Sequence, residues 1–107
     1  MTDQRVVLLL GSRAGDGPYL THEDMASARS LAVVAIGWPL TPHQGRVVAE
    51  ALTLARSTGV VLEAILAASA REATTHVTDQ DRILVGGSSR DRRRIRRALG
   101  ARGLHIA

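Results

Sequence analysis

The feature that most constrains what this chain can fold into is a recurrence. Five short apolar runs stand at residues 6–10, 31–36, 60–66, 83–85 and 104–106, and helix-capping chemistry follows each of the first four. The first three runs are continuous rather than alternating, as in strands covered on both faces of a parallel sheet. Thr41-Pro42-His43-Gln44 is the clearest cap: a Thr N-cap, a Pro where no N–H is needed, and a Gln placed to reach back to the cap. Ser69 with Glu72 repeats that logic, and Thr21 with Asp24 and Ser88 with Asp91 are looser versions. Thr78 with Asp81 also fits but precedes an apolar run, so the pattern alone does not define a helix.

The second helix is marked by Val47, Val48, Ala51, Leu52, Leu54 and Ala55 at three-and-four spacing, with Gly59 as a left-handed stop. The last carries Ile95, Ala98 and Leu99 on one face, with Gly100 after them. The resulting order, β-α-β-α-β-α-β-α-β, predicts a single α/β domain over residues 1–107. It is a three-layer sandwich with a mostly parallel five-stranded sheet, flavodoxin-like or Rossmann-like. Strand order is not legible. A mostly α alternative takes Ala55, Gly59 and Ile65 as the small residue, turn glycine and buried aliphatic of a helix-turn-helix. Its recognition helix, residues 60–68, would carry one charge, Glu63, and no donor for a base edge, which favours a buried strand there.

Composition narrows the function classes. With 107 residues, 45% of them apolar, folding buries roughly two thirds of the unfolded surface, enough for one core. The absence of cysteine removes disulfides, thiolate metal sites, iron–sulfur clusters and cysteine nucleophiles. No apolar run approaches the roughly 20 residues that span a bilayer, and Met1-Thr2-Asp3-Gln4 lacks the basic start of a secretory signal. A cytoplasmic protein with no membrane partner is the expectation. All 14 basic residues are Arg, with no Lys, Asn or Phe, a skew that fits GC-rich coding, so Arg content by itself is not a signal. Its distribution is. Residues 82–107 hold eight Arg and one Asp, a net of +7, against −3 for the first 81 residues, which predicts a basic surface at one end of the fold.

Ligands of open α/β sheets bind outside the carboxyl ends of the strands, where strand order reverses. Three strand ends carry glycine: Gly11-Ser12-Arg13, Gly37-Trp38-Pro39 and Gly86-Gly87-Ser88-Ser89-Arg90. The first and last combine close backbone approach, hydroxyl and N–H donors and an Arg fork, a set suited to phosphate. The same glycines also serve simply to make a strand-to-helix turn, and Ser88 to cap a helix. Neither loop is a nucleotide fingerprint, because the G-x-G-x-x-G spacing is absent and a chain without Lys has no Gly-Lys-Ser/Thr. The connection over residues 11–20 exceeds the roughly two to six residues usual in βα units, a length associated with binding loops. Receiver-type signalling domains need clustered carboxylates where this chain has Gly11-Ser12 and Ala67-Ala68-Ser69, so that class is rejected.

The sharpest local feature is Asp91-Arg92-Arg93-Arg94-Ile95-Arg96-Arg97. With Ile95, Ala98 and Leu99 on the core, Arg92, Arg93, Arg96 and Arg97 spread over the remaining faces, so several can touch phosphate oxygens at once. The competing interpretations are a solvated helix face and pairing with Glu50, Glu63 or Glu72 of a neighbouring subunit. Tyr19 and Trp38 are the only aromatics, too few to form a stacking platform. Catalytic constellations are thin: His22-Glu23-Asp24 suits a helix start, His43 and His105 stand apart, and Ser12 and Ser88 have no adjacent base. His76, Asp79 and Asp81 have the atoms for a metal site but not the spacing. Trp38-Pro39-Leu40 is either buried or an exposed anchor for self-association.

The expectation is therefore a small non-enzymatic module, without metal or cofactor, that binds a polyanion, nucleic acid first, through Arg92, Arg93, Arg94, Arg96 and Arg97. One alternative is a phosphorylated small-ligand or nucleotide site at Gly11, Ser12, Arg13, Gly86, Gly87, Ser88, Ser89 and Arg90. The other is a self-assembling structural subunit, a homo-oligomer.

Overall fold

The computed structural model describes residues 4–106; residues 1–3, on which the reading of the chain's start rests, lie outside them. The described chain runs β1 (Gln4–Leu10), α1 (His22–Met25), β2 (Ala28–Ile36), α2 (Pro42–Thr58), β3 (Val61–Ala67), α3 (Ala70–Ala73), a 3₁₀ turn (Thr74–His76), β4 (Arg82–Gly86) and α4 (Ser89–Ala101). The strands form one parallel sheet in the order β3-β2-β1-β4. One line of register crosses it at Ala64, Val33, Leu8 and Leu84. Because β3 lies beyond β2 rather than beside β1, the order is not the flavodoxin-like one. Chain progression reverses between β1 and β4, which makes their carboxyl ends the switch point.

Continuous apolar runs become the two central strands because both their faces are covered. Val7 and Leu9 of β1 join Ala32 and Val34 of β2 in a cluster with Ala70, Ala73, Ile95 and Leu99, beneath α3 and α4. Val6, Leu8 and Leu10 join Leu31 and Val33 on the opposite face, beneath Met25 of α1 and Val47 and Ala51 of α2. The three layers follow from this alternation. Two ion pairs among the described residues tie a loop and α1 to the sheet. Arg5 meets Asp81 at 2.8 Å and Arg82 meets Asp24 at 3.0 Å.

All four caps form: Thr21, Thr41, Ser69 and Ser88 accept from the N–H of Asp24, Gln44, Glu72 and Asp91. Gly59 ends α2 in the left-handed conformation, as its position in the sequence predicts. Thr78 and Asp81 make a turn instead of a helix, through Thr78 N–H to Asp81 Oδ2 at 2.9 Å.

The structure departs from the sequence expectations at several points. The sheet has four strands among the described residues, not five, because residues 104–106 are not a strand. The chain instead closes α4 by a reversal. Gly103, at φ +70°, donates to Gly100 O and Leu104 donates to Leu99 O, both at 3.0 Å, and Leu104 folds onto the core beside Leu99. The last helix accordingly runs past Gly100. The helix-turn-helix alternative fails because residues 61–67 pair with β2 as a strand. That strand is nevertheless an edge, and Val61 is 74% and Leu66 54% exposed, so the apolar run there is not covered on both faces. Trp38, at 77% exposure, and Leu52 in the α2 stripe also face solvent.

Candidate functional site

The switch-point crevice is closed by the chain itself. Gly11 follows β1 and donates to Gly86 O at 2.9 Å, joining the two strand ends. A Cβ on Gly11 would collide with the Asp91 side chain, one on Gly15 with the Gly87 carbonyl, and one on Gly86 would lie 2.8 Å from the Tyr19 ring. The glycines therefore permit residues 11–20 to fold back over the strand ends. Asp91 belongs to the capping box of α4, and its Oδ2 accepts from Ser88 N at 3.3 Å and from Arg13 N at 3.0 Å. A carboxylate thus occupies the helix N-terminus, the position most favourable to an anion. Ser12 is half-buried, with its carbonyl accepting from Thr41 Oγ1 at 2.8 Å. Ser89, Arg13 and Arg90 are exposed.

The long connection also walls a cleft of about 600 Å³ against α2. Tyr19 takes the Gly15 N–H at 3.0 Å and sets its ring edge-on to His43, with centroids 5.9 Å apart. Val47, Ala51 and Leu54 of α2 line the same cleft.

The α4 surface follows from helix geometry. Burying Ile95 and Leu99 turns the remaining residues outward. Arg93, Arg94, Arg96 and Arg97 are exposed, while Arg92 lies half-buried along the helix with Nη2 3.4 Å from Ser89 Oγ. Among the described residues, none of these Arg forms an ion pair. Glu50, Glu63 and Glu72, considered as partners across a subunit boundary, lie on α2, β3 and α3. Two hollows form between the guanidinium-bearing side chains, one lined by Arg90, Arg93, Arg94 and Arg97, the other by Ser89, Arg92, Arg93 and Arg96.

A larger groove of about 780 Å³ runs between α4 and the α3 turn. Arg94 and Arg97 line it from one side, Arg71 from the other, and Arg102 beyond the helix end. Neither Arg71 nor Arg102 stands out in the sequence. Arg71 stands alone in a one-turn helix, and only tertiary packing brings it opposite α4.

Asp81 and Gln44 are held in structural contacts. Asp81 receives Arg5 Nε at 3.1 Å and Nη2 at 2.8 Å, and Arg5 also donates to His76 O. Burial pushes the Asp81 carboxyl up, but the Arg5 guanidinium and the Thr78 N–H outweigh it and hold the group below the usual Asp range. Gln44 is fully buried and joins the α2 cap to the sheet, with Nε2 donating to Leu10 O at 3.3 Å and Ile36 O at 2.9 Å. Among the described residues no three His, Asp or Glu side chains gather as metal ligands, and no helix is long and apolar enough to cross a membrane. Compared with family models, curated proteins and solved structures, the chain matches none.

Proposed function

We propose that this protein is a small binding module whose partner is a polyanion, nucleic acid first, engaged by the arginine face of α4. The carrying observation is that Arg93, Arg94, Arg96 and Arg97 stand exposed and without ion-pair partners among the described residues, on a helix anchored by Ile95 and Leu99. Unpaired cations on a rigid element reach phosphates without first breaking internal interactions. The strand-end alternative at Gly11-Ser12-Arg13 and Gly86 to Arg90 requires a phosphate to displace Asp91 from Arg13 N and Ser88 N. The α4 face requires no displacement.

The test is a titration with single- and double-stranded DNA at two salt concentrations, using the wild-type chain and an Arg93→Glu/Arg97→Glu double variant. Wild-type binding to duplex should weaken with a log–log slope near −0.9 per phosphate neutralised, and the charge swap should abolish binding with the fold intact. Unchanged affinity in the variant would eliminate α4. Arg13→Ala and Arg90→Ala are the matching test of the strand-end alternative, with a mononucleotide as probe.

A second reading, assembly with further copies of the chain, is supported by the exposed Val61 and Leu66 on the β3 edge and by Trp38. Sedimentation that depends on protein concentration, without added ligand, is its signature.

A further inference from the structure

Resting on the reading of α4 as the polyanion surface, we infer that the anion sits in the groove between α3 and α4. There the groove takes a flexible run of neighbouring phosphates, with Arg71 and Arg102 completing the set that Arg94 and Arg97 begin. Four arginines converge on about 780 Å³, and no acidic side chain lines it. The adjacent acid, Glu72, is turned away, its Oε2 accepting the N–H of Ala68. Arg102 is fixed across one end by Nη1 donating to Thr74 O at 3.1 Å, so part of its ordering cost is met before any ligand arrives. Ser69 Oγ accepts from Glu72 N at 3.1 Å, which leaves its proton to donate.

The two sides of α4 differ physically. Arg92, Arg93 and Arg96 line, with Ser89, a separate hollow of about 300 Å³. The groove is more than twice as large, about 780 Å³, and gathering cations from two elements around one concavity raises the local field for an anion. Its apolar lining comes from Ala70, Ala98 and Ala101, whose small side chains keep the space open between the two elements. That space falls within the roughly 300–1,000 Å³ typical of small-ligand sites. A single run of phosphates is the chemistry that four convergent guanidinium groups in such a groove suit. Such a run occurs in a single nucleic-acid strand and in a free oligophosphate, and the four guanidinium forks would bind either.

The test is fluorescence anisotropy of a labelled oligothymidylate, competed with inorganic tripolyphosphate. It uses the wild-type chain and Arg71→Glu, Arg94→Glu and Arg96→Glu variants. Neither Arg71 nor Arg94 donates a side-chain hydrogen bond or ion pair among the described residues, so melting temperatures should match wild type. Arg71→Gln provides a second, milder variant at the position that the groove alone predicts. Arg71→Glu and Arg94→Glu should each weaken binding roughly tenfold or more. Each should also reduce the salt slope by about 0.7 for every phosphate that is no longer neutralised. Arg96→Glu should change affinity less than about threefold, because Arg96 does not line the groove and acts on its anion only at a screened distance. Displacement by tripolyphosphate assigns the oligophosphate as sufficient, whereas sensitivity to Arg71→Glu without displacement assigns the nucleic-acid strand. If Arg96→Glu loses as much as Arg71→Glu, α4 binds as an undifferentiated surface, and the groove is overturned while the polyanion reading stands. If wild type does not bind the oligothymidylate, or no variant changes affinity, the groove falls, and the duplex titration of the Arg93→Glu/Arg97→Glu variant decides the polyanion reading separately.

Discussion

Gln44 is the side chain whose removal should cost this fold most for its size. It is fully buried, and its amide group holds three segments together. Nε2 donates to the carbonyls of Leu10 and Ile36 at the carboxyl ends of β1 and β2, while Oε1 accepts from Thr41 N at 3.0 Å in the α2 cap. In Gln44→Ala the two carbonyls lose this donor at a cost of about 1–3 kcal/mol each. Loss of the reciprocal half of the capping box adds about 0.5–1 kcal/mol, and the vacated volume adds a cavity cost. A total of at least about 3 kcal/mol is a large share of the 5–15 kcal/mol typical of a domain. Since each kcal/mol shifts Tm by roughly 4 °C or more at this chain length, the variant should melt at least about 12 °C below wild type. Urea unfolding at 25 °C gives the free energy directly, and an unchanged m-value shows that the same surface is being exposed. Gln44→Leu separates the causes, because leucine refills most of the volume but leaves both carbonyls without that donor. Loss in Gln44→Ala below about 1 kcal/mol, within the range of an ordinary single hydrogen bond, would refute the reasoning. Recovery of most of the loss in Gln44→Leu would show that packing, not hydrogen bonding, is what Gln44 contributes.

Two further outcomes are expected. Asp81 is held below the ordinary Asp value, so the Arg5–Asp81 pair contributes fully above the unfolded pKa of about 3.9 and fades as pH falls through the lower folded value. Asp81→Asn should cost about 1–2 kcal/mol at pH 7, a charge-assisted bond discounted for the partly exposed guanidinium. In urea titrations the gap from wild type should shrink below about pH 4, and a gap that is constant with pH would contradict the linkage. Gly15→Ala places a methyl group against the Gly87 carbonyl, so it should destabilise the protein by about 1–3 kcal/mol and speed amide exchange across residues 11–20. Unchanged Tm and protection would mean that this connection does not pack on the strand ends.

Much of the local structure was legible in the sequence because it depends on near neighbours. The capping bonds of Thr21, Thr41, Ser69 and Ser88 join residues three apart, and Gly59 supplies the left-handed stop where the apolar stripe of α2 ends. Ile95 and Leu99 set the buried face of α4 and therefore left its arginines outward. Edge or centre depends on partners far along the chain, so an apolar run at residues 60–66 reads the same whether or not a neighbour covers it. Only the order β3-β2-β1-β4 made it an edge, with Val61 and Leu66 in solvent. The expected fifth strand failed for the same reason. Leu104 and Ile106 are apolar, but the left-handed Gly103 folds Leu104 back onto Leu99, where the core accepts it without a strand partner. At the candidate sites, the arginine run of α4 and the glycines of the strand ends are visible in the sequence as local runs. Tertiary packing alone decided that Asp91 and Tyr19 occupy the crevice and that Arg71 stands across a groove from Arg94 and Arg97. Those juxtapositions arise from sheet order and helix docking, physical constraints between residues that no local spacing encodes.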